Sequence, residues 1–216
     1  MNSKKEKTKI DYISQFLLFI IIISLVVRAF IFNWFFVPSD SMYPGISRNT
    51  FIFSNCLAYG VRIPFTNSFI TKWDNPKKGE VVILQNPKDT NETLVKRVMG
   101  TEGDTVIFKS GKVSINGEEA SYQLLDSKSI NFQPNVKQEA YLEKWKNGQQ
   151  EVILKTLDKL NYVKGADSGR DAGTFVIPKG FLLAIGDNRD NSFDSRFKDI
   201  GLIPVDNVKG RVIGHN

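Results

Sequence analysis

The sequence predicts a mostly β protein with a single membrane-spanning helix at its N-terminus. Beyond about residue 34, short runs rich in β-branched residues are separated by Gly, Pro and Asn, which is the pattern of strands and turns. Before that point, residues 13–33 are almost entirely apolar. The chain of 216 residues is 41% hydrophobic and 24% charged, which is typical of a folded protein with a sizeable core.

The apolar segment has the length and the flanks of a signal anchor. It supplies roughly the 20 residues that a membrane span needs, and its one charge, Arg28, is expected to reach toward the interface. A cleavable signal peptide would need small residues soon after the apolar run, whereas bulky residues follow here. Lysines precede the segment, which places residues 1–12 in the cytoplasm and the rest of the chain outside. Trp34, Phe35 and Phe36 follow where aromatic side chains collect at a membrane surface.

Strands are predicted in turn along the rest of the chain. In the first part they are expected at residues 80–84, 94–99, 105–108 and 112–115. In the second part they are expected at residues 151–157, 174–177, 181–185 and 208–213. Residues from about 118 to 173 are more polar and less regular, and within them 141–154 is predicted to form a hairpin. A short amphipathic helix over residues 138–146 is the alternative there.

A serine and a lysine are the candidate catalytic residues. The one histidine, His215, is the second-last residue, so Ser41 has almost no chance of belonging to a Ser-His-Asp triad. A serine can instead be activated by a lysine that burial keeps neutral. In a strand, Lys96 lies on the same face as Leu94 and Val98. An apolar face of this kind lowers the pKa of a lysine.

Several motifs occur in an order that resembles the type I signal peptidases, also called leader peptidases. They are Pro38-Ser39-Asp40-Ser41-Met42-Tyr43-Pro44, Gly79-Glu80-Val81-Val82, Lys96-Arg97-Val98 through Gly103-Asp104, and the unbroken run from Gly186 to Arg196. The resemblance extends over nearly the whole chain. It implies a partly open β-barrel core in two parts, residues 34–117 and 174–216, with an inserted β subdomain at residues 118–173.

The resemblance also implies roles for individual residues. Ser41 is expected to be the nucleophile and Lys96 the general base. The hydroxyl of Ser39 is expected to help the main-chain amide of the nucleophile hold the oxyanion, and Ser192 to orient the amine of Lys96. Structural support is expected from Arg97, Asp187, Arg189, Asp194 and Arg196, with Arg97 paired to Asp187. The one departure from the family pattern is Gly45, where threonine is usual.

The substrate is expected to be an extended peptide that adds as a strand between the two catalytic stretches. The side chains that flank these stretches are Phe35, Val37, Met42, Leu94 and Val95. Each of them could equally be an ordinary core residue. By resemblance, the pockets accept small residues at the −1 and −3 positions of the substrate, alanine above all. The expected partners are preprotein signal peptides and membrane lipid, with the secretion translocon as a further candidate.

Other classes of function find little support in the composition. The formal charge of +6 comes from scattered lysines without a nucleic-acid-binding motif, so no nucleic acid partner is expected. The acidic run at 187–194 departs from a calcium loop at Arg189, so neither a metal nor a cofactor is expected. Cys56 is the single cysteine, which excludes an intrachain disulfide, and it has no histidine nearby in the sequence to activate it.

The sequence therefore predicts a membrane-anchored serine endopeptidase that removes signal peptides at the outer face of the bacterial cytoplasmic membrane. One alternative is a dedicated maturation protease of the same superfamily, serving a single substrate such as a conjugative pilin. A self-cleaving repressor shares the chemistry, but the anchor puts the domain on the wrong side for DNA. An inactive, membrane-tethered binding module would have lost Ser41, Lys96 or Ser192, and all three are present.

Overall fold

The computed structural model describes residues 11–24, 31–63, 66–109, 111–125, 138–156 and 172–215. A helix, α1, covers residues 11–24, and all of its residues are exposed. Among the described residues, no helix is long and apolar enough to cross a membrane. Residues 25–30 of the predicted span lie outside the described residues, as do residues 1–10 of the predicted cytoplasmic segment.

The end of the predicted anchor is a strand. Residues 32 and 33, which were expected to complete the span, begin strand β1, Phe32–Val37. The reason is that aromatic and β-branched residues suit a strand as well as a membrane interface. The apolar character of this stretch therefore does not mark where the helical part ends.

The main sheet has seven strands in the order β1-β2-β16-β5-β6-β14-β15. Its strands are β1, β2 (Thr50–Asn55), β5 (Val81–Gln85), β6 (Thr93–Gly100), β14 (Phe181–Ile185), β15 (Ile203–Pro204) and β16 (Val208–His215). All of the neighbouring pairs are antiparallel. A single 3₁₀ turn, Val205–Asn207, leads from β15 into β16.

The remaining described strands form three smaller sheets. One is a hairpin of β3 (Gly60–Arg62) and β4 (Phe69–Lys72). Another is a four-stranded sheet with the order β13-β7-β8-β9. Its strands are β7 (Thr105–Lys109), β8 (Lys112–Ile115), β9 (Glu118–Glu119) and β13 (Ala172–Val176). A three-stranded sheet has the order β10-β11-β12, with β10 (Ser121–Leu124), β11 (Gln138–Lys144) and β12 (Gln150–Thr156). This last sheet lies wholly within the predicted inserted segment, whereas β9 and β13 join that segment to strands of the core.

The central strands separate two hydrophobic clusters. In β14, Leu182 and Ala184 belong to one cluster, while Leu183 and Ile185 belong to the other. The strand is thus buried on both faces, which explains its continuous apolar run in place of an alternating pattern. In the neighbouring strand β6, the side chains of the two faces likewise belong to the two different clusters. Apolar side chains therefore surround the middle of β6.

One hydrophobic cluster extends across the main sheet from β1 to β6. Phe35 and Val37 on β1 belong to it, as do Ile83 on β5 and Val95 on β6. The strands β2 and β16, which lie between β1 and β5 in the sheet order, contribute Ile52 and Val212. Met42 is a further member, so the turn after β1 packs against the same cluster as Val95.

The predicted strands agree with the described ones to within a few residues. All eight of the predicted runs are strands in the structure, and 181–185 has the same bounds as β14. The predicted hairpin is formed by β11 and β12, so the alternative of a helix over 138–146 is wrong. Strands β1 to β4 were not predicted individually: β1 begins inside the stretch assigned to the anchor, and β3 and β4 are only three and four residues long.

Replacement of Gly100 by alanine is expected to lower the free energy of unfolding by about 1–3 kcal/mol. A Cβ at this position in β6 would lie 2.5 Å from Ile177 Cδ1 and 2.7 Å from Val106 Cγ2, so it would overpack the cluster. Gly214→Ala in β16 is the matched control, because a Cβ there points into open space. Urea unfolding measures both variants, and equal stabilities would contradict this account of the packing.

Candidate active site

The centre of the site is a contact between Ser41 and Lys96. Ser41 lies in the turn that follows β1, and Lys96 lies in the middle of β6. The Nζ atom of Lys96 is 2.8 Å from the Oγ atom of Ser41. The two residues are 8% and 4% exposed, so the hydrogen bond between them is shielded from water. The residues that the sequence singled out are therefore in contact, although 55 positions separate them.

The apolar surroundings of Lys96 are those that the strand alternation predicted. Val98 belongs to a buried cluster against which Leu94 packs, on the same face of β6 as the lysine. The pKa of Lys96 is lowered to about 8, chiefly by burial and in lesser part by Arg196, while the carboxylates of Asp194 and Glu92 act in the opposite direction. With that pKa, about a tenth of the amine is neutral at pH 7, against less than roughly one part in a thousand for an ordinary lysine.

Ser39 lies beside the nucleophile candidate. Its Oγ is 3.4 Å from the Oγ of Ser41, and the residue as a whole is exposed. A hydroxyl at this distance can turn toward an oxyanion that forms next to Ser41. The oxyanion role of Ser39 remains a prediction.

Ser192 is close to the site but does not hydrogen-bond to Lys96. The residue is 1% exposed, and its Oγ has no hydrogen bond of good geometry in the described structure. Its hydroxyl faces Asp194 instead and helps to lower the pKa of that carboxyl. The role of Ser192 in orienting the lysine amine is therefore still a prediction, and the hydroxyl would have to rotate to perform it.

Gly186 allows the loop after β14 to lie directly against Ser41. A Cβ at this position would be 2.3 Å from the carbonyl oxygen of Ser41 and 2.2 Å from the Oγ of Ser192. The backbone N–H of Gly186 donates to Asp194 at 3.0 Å. Only a residue without a side chain permits so close an approach.

Residues that were expected to support the site form two bidentate arginine–carboxylate pairs, of which that of Arg97 with Asp187 was expected from the resemblance. Arg97 donates from Nε and Nη2 to the two oxygens of Asp187, at 2.8 and 2.7 Å. Arg196 donates in the same way to Asp194, at 2.8 Å for both bonds. Burial would raise the pKa of Asp194, but the guanidinium of Arg196 outweighs it and holds the pKa below its usual value. Bidentate pairs of this kind fix the angle between their partners as well as the distance.

Arg189 has a partner that the sequence did not reveal. It forms a bidentate pair with Glu143 of β11, at 2.5 and 2.7 Å. A second unexpected carboxylate, Glu151 of β12, lies 2.9 Å from Nη1 of Arg97. Both glutamates belong to the predicted inserted segment, residues 118–173, in which no site residue was predicted. Their only signal in the sequence is that acidic residues occupy a hairpin, which is common on exposed strands.

Asn188 is a third residue whose place at the site was not expected from the sequence. It is fully buried, and its backbone N–H donates to the carbonyl of Ser41 at 3.1 Å. Its side-chain Nδ2 donates to the carbonyl of Asp40, also at 3.1 Å. The residue thus holds the carbonyl groups of the two peptide bonds on either side of Ser41. Its place in the run from Gly186 to Arg196 was the signal that could have drawn attention to it.

The predicted substrate-binding side chains divide into two groups. Phe35, Val37, Met42 and Val95 belong to one cluster, whereas Leu94 packs on another. Val37 and Met42 are only 3% and 1% exposed, so they are core residues beneath the site. Phe35 and Val95 are half-buried and can contact a peptide.

Cys56 is poorly suited to compete with Ser41 as a nucleophile. Cys56 is half-buried, and burial raises the pKa of its thiol, which disfavours the nucleophilic thiolate. In the part of the chain that the structure describes, no group of three or more His, Cys, Asp or Glu side chains could hold a metal ion.

Known proteins similar to this chain are signal peptidases. Residues 9–214 match the family described as "Signal peptidase, peptidase S26". The signal peptidase I of Pseudomonas fluorescens is 32% identical over 217 residues, covering 96% of this chain and 72% of that protein. The signal peptidase I of Pseudomonas aeruginosa is 32% identical over 216 residues, with the same coverage. A crystal structure of a signal peptidase I from Enterococcus faecalis has a TM-score of 0.38 and 24% identity, covering 65% of this chain and 98% of that chain.

Proposed function

Since the chain belongs to the signal peptidase family, peptidase S26, we propose that it cleaves its substrates with Ser41 as nucleophile and Lys96 as general base. The protein is a serine endopeptidase that cleaves signal peptides. The observation that carries the assignment of residues is the buried contact of 2.8 Å between Lys96 Nζ and Ser41 Oγ. A serine and a neutral lysine at hydrogen-bond distance are sufficient for nucleophilic catalysis without histidine.

The reaction follows from the chemistry of this pair. The neutral amine of Lys96 accepts the hydroxyl proton of Ser41 while Oγ attacks the carbonyl carbon of the scissile peptide bond. The oxyanion of the tetrahedral intermediate is held by the main-chain amide of Ser41 and the hydroxyl of Ser39. The ammonium of Lys96 then protonates the leaving amine, which leaves an acyl-enzyme on Ser41. Water, deprotonated by Lys96 in the same way, hydrolyses the ester and restores the serine.

The substrate binds as an extended strand between β1 and β6. β1 stands at one end of the seven-stranded sheet, and β14 pairs with β6 only from Arg97 onward. The backbone of β6 before Arg97 therefore has one edge that can pair with a peptide. Phe35 and Val95 flank the space and favour small apolar side chains at −1 and −3, which corresponds to an Ala-x-Ala pattern. The barrel-like core that the resemblance implies would be built from this seven-stranded sheet.

The N-terminal part of the chain anchors the enzyme to a membrane. The apolar side chains of α1 are exposed, and the β1–β2 hairpin has an exposed aromatic face of its own, where Trp34 stands opposite Phe53 and Phe36 opposite Phe51. All four rings are exposed, and a membrane interface is the environment that favours such side chains. The lysines before residue 13 place the N-terminus in the cytoplasm and the catalytic domain on the outer face of the cytoplasmic membrane. Membrane lipid, signal peptides and the secretion translocon are then its partners.

Ser41→Ala should abolish cleavage while the protein remains folded, because the hydroxyl contributes little to packing. The measurement is the hydrolysis of a peptide that contains Ala-x-Ala by detergent-solubilised protein. Cys56→Ala is the control and should keep wild-type activity. More than a trace of activity in Ser41→Ala would overturn the assignment. Cleavage of several unrelated preproteins by the wild type separates a general enzyme from a dedicated maturation protease.

The rate of cleavage should rise with pH through the ionisation of Lys96, whose pKa is lowered to about 8. Below that pH the amine carries a proton and cannot accept another, so kcat/KM falls as the pH falls. Lys96→Arg should be inactive at every accessible pH, because a guanidinium stays protonated. A pH profile of kcat/KM measures the wild type, and substantial activity in Lys96→Arg would exclude a neutral amine as the base.

Protease added to the outer face of spheroplasts should digest the domain that carries Trp145. The reason is that a single span with lysines on its inner side leaves everything after it outside. Immunodetection of the N-terminus and of the domain shows which part is cut. Protection of the domain together with digestion of the N-terminus would reverse the proposed orientation.

A further inference from the structure

The β11–β12 hairpin is joined to the loop after β14 by backbone hydrogen bonds. The N–H of Leu154 in β12 donates to the carbonyl of Asp187 at 3.0 Å, and the N–H of Arg189 donates to the carbonyl of Leu154 at 3.0 Å. These bonds form a parallel bridge between Leu154 and Asn188. The hairpin therefore fixes the backbone of residues 187–189, which we call the clamp segment.

Glu143 fixes the same segment through a buried charge pair. Its side chain is fully buried and that of Arg189 is 6% exposed, and the two form a bidentate contact. Removing two charges from water is costly, so such a pair is retained only where its geometry is good. A pair of this kind is weak evidence for stability, but it tolerates little displacement of either partner.

Glu151 acts on the other end of the clamp segment. Its Oε2 lies 2.9 Å from Nη1 of Arg97, and that guanidinium also holds Asp187 and the carbonyl of Gly79. Arg97 is thus placed between a carboxylate of the hairpin and a carboxylate of the clamp segment. Burial opposes the charge of Arg97, but Asp187 and Glu151 outweigh this and raise its pKa.

The clamp segment in turn holds the nucleophile. Asn188 donates to the carbonyls of Asp40 and Ser41, at 3.1 Å each. The hydroxyl of Ser41 must stay within hydrogen-bond distance of Lys96, which is fixed in β6. A continuous series of short polar contacts therefore connects the hairpin with the position of the reacting oxygen.

We propose that Glu143 and Glu151 are positioning residues of the active site. They hold the two arginines so that the clamp segment keeps Ser41 in reach of Lys96. This inference rests on the proposed function, in which these two residues are the nucleophile and the base. It gives the polar β11–β12 hairpin a role in the rate of the reaction, although neither glutamate touches the substrate.

Glu151 also makes this positioning dependent on pH. The charged groups that face it are Arg97 from β6, Asp187 from the clamp segment and Glu143 from β11, with Lys78 and Glu118 lining the same small cavity. The pKa of Glu151 is raised to about 7, chiefly by burial. The negative charges of Asp187 and Glu143 also raise it, whereas the positive charge of Arg97 lowers it. As the pH falls through that value, Glu151 takes up a proton and its attraction for Arg97 weakens. The acid limb of kcat/KM should then contain this ionisation in addition to that of Lys96.

The first test compares three glutamate-to-glutamine variants of the full chain with the wild type. In Glu143→Gln an amide N–H faces the donors of Arg189, and in Glu151→Gln the charge opposite Arg97 is lost. In both, kcat for an Ala-x-Ala peptide should fall on the order of 10- to 100-fold, because small displacements of reacting groups have effects of this size. KM should change less than about twofold, since the substrate-binding edges are untouched. Glu139→Gln is the control, because Glu139 lies in the same strand and bonds to Tyr141.

The second test is the pH profile of Glu151→Gln. The wild-type acid limb should be steeper than one ionisation allows, with contributions near 7 and 8. The variant should lose the lower ionisation and keep that of Lys96. An unchanged profile would overturn the role of Glu151, since a glutamate that only stabilises the fold would not alter the shape of the limb.

A third test, with a double variant, separates the positioning role of Glu143 from an effect on folding. Glu143→Gln leaves a buried guanidinium without its charge partner and can unfold the domain. The double variant Glu143→Leu, Arg189→Met replaces the pair with apolar side chains, which is often neutral or stabilising. It should therefore melt at or above the wild-type Tm and still show reduced kcat. A double variant with wild-type kcat would overturn the role of Glu143.

The failure of this inference differs from the failure of the proposed function. If Ser41→Ala is inactive while Glu143→Gln and Glu151→Gln retain wild-type kcat, the positioning role is wrong and the catalytic pair stands. If Ser41→Ala keeps its activity, both are wrong.

Discussion

The structure of the active site depends on the burial of one amine. A change in the pKa of Lys96 from 10.5 to about 8 corresponds to roughly 3 kcal/mol that disfavours the ammonium. The core provides this environment because the central strands are buried on both faces, which leaves Lys96 in the middle of β6 only 4% exposed. The remaining stabilising interactions of the fold have to offset that cost.

The charges near the lysine are arranged so that they do not reverse this effect. Asp194 favours the ammonium, and an unpaired carboxylate there would raise the pKa of Lys96 toward its ordinary value. Arg196 is bound to both oxygens of Asp194 and acts in the opposite sense on the lysine. The pair therefore contributes rigid hydrogen bonds to the loop, and Arg196 offsets part of the effect that Asp194 has on the pKa of the amine.

Sequence reasoning singled out Ser41 and Lys96, which are in contact in the structure, because the lack of a nearby histidine and the strand alternation around Lys96 are local features. It did not find Glu143 or Glu151, since their roles arise from the docking of a hairpin on a loop far away in the chain. Leu94 shows a related limit of sequence reasoning. The alternation of side chains along a strand predicts which residues share a face, but it does not predict which of the two hydrophobic clusters that face packs against. The start of β1 was assigned to the anchor because aromatic residues suit both environments. The boundaries of the inserted subdomain remain a prediction.

The position of β16 has a consequence for the order in which the enzyme becomes active. This strand is formed by residues 208–215, yet it lies between β2 and β5 and pairs with both. Without it, the β1–β2 hairpin, which carries Ser41 in the connection between its strands, has no link to β5 and β6 within the main sheet. A chain that folds from its N-terminus onward can therefore complete the sheet beneath Ser41 and Lys96 only after residues 208–215 have been made.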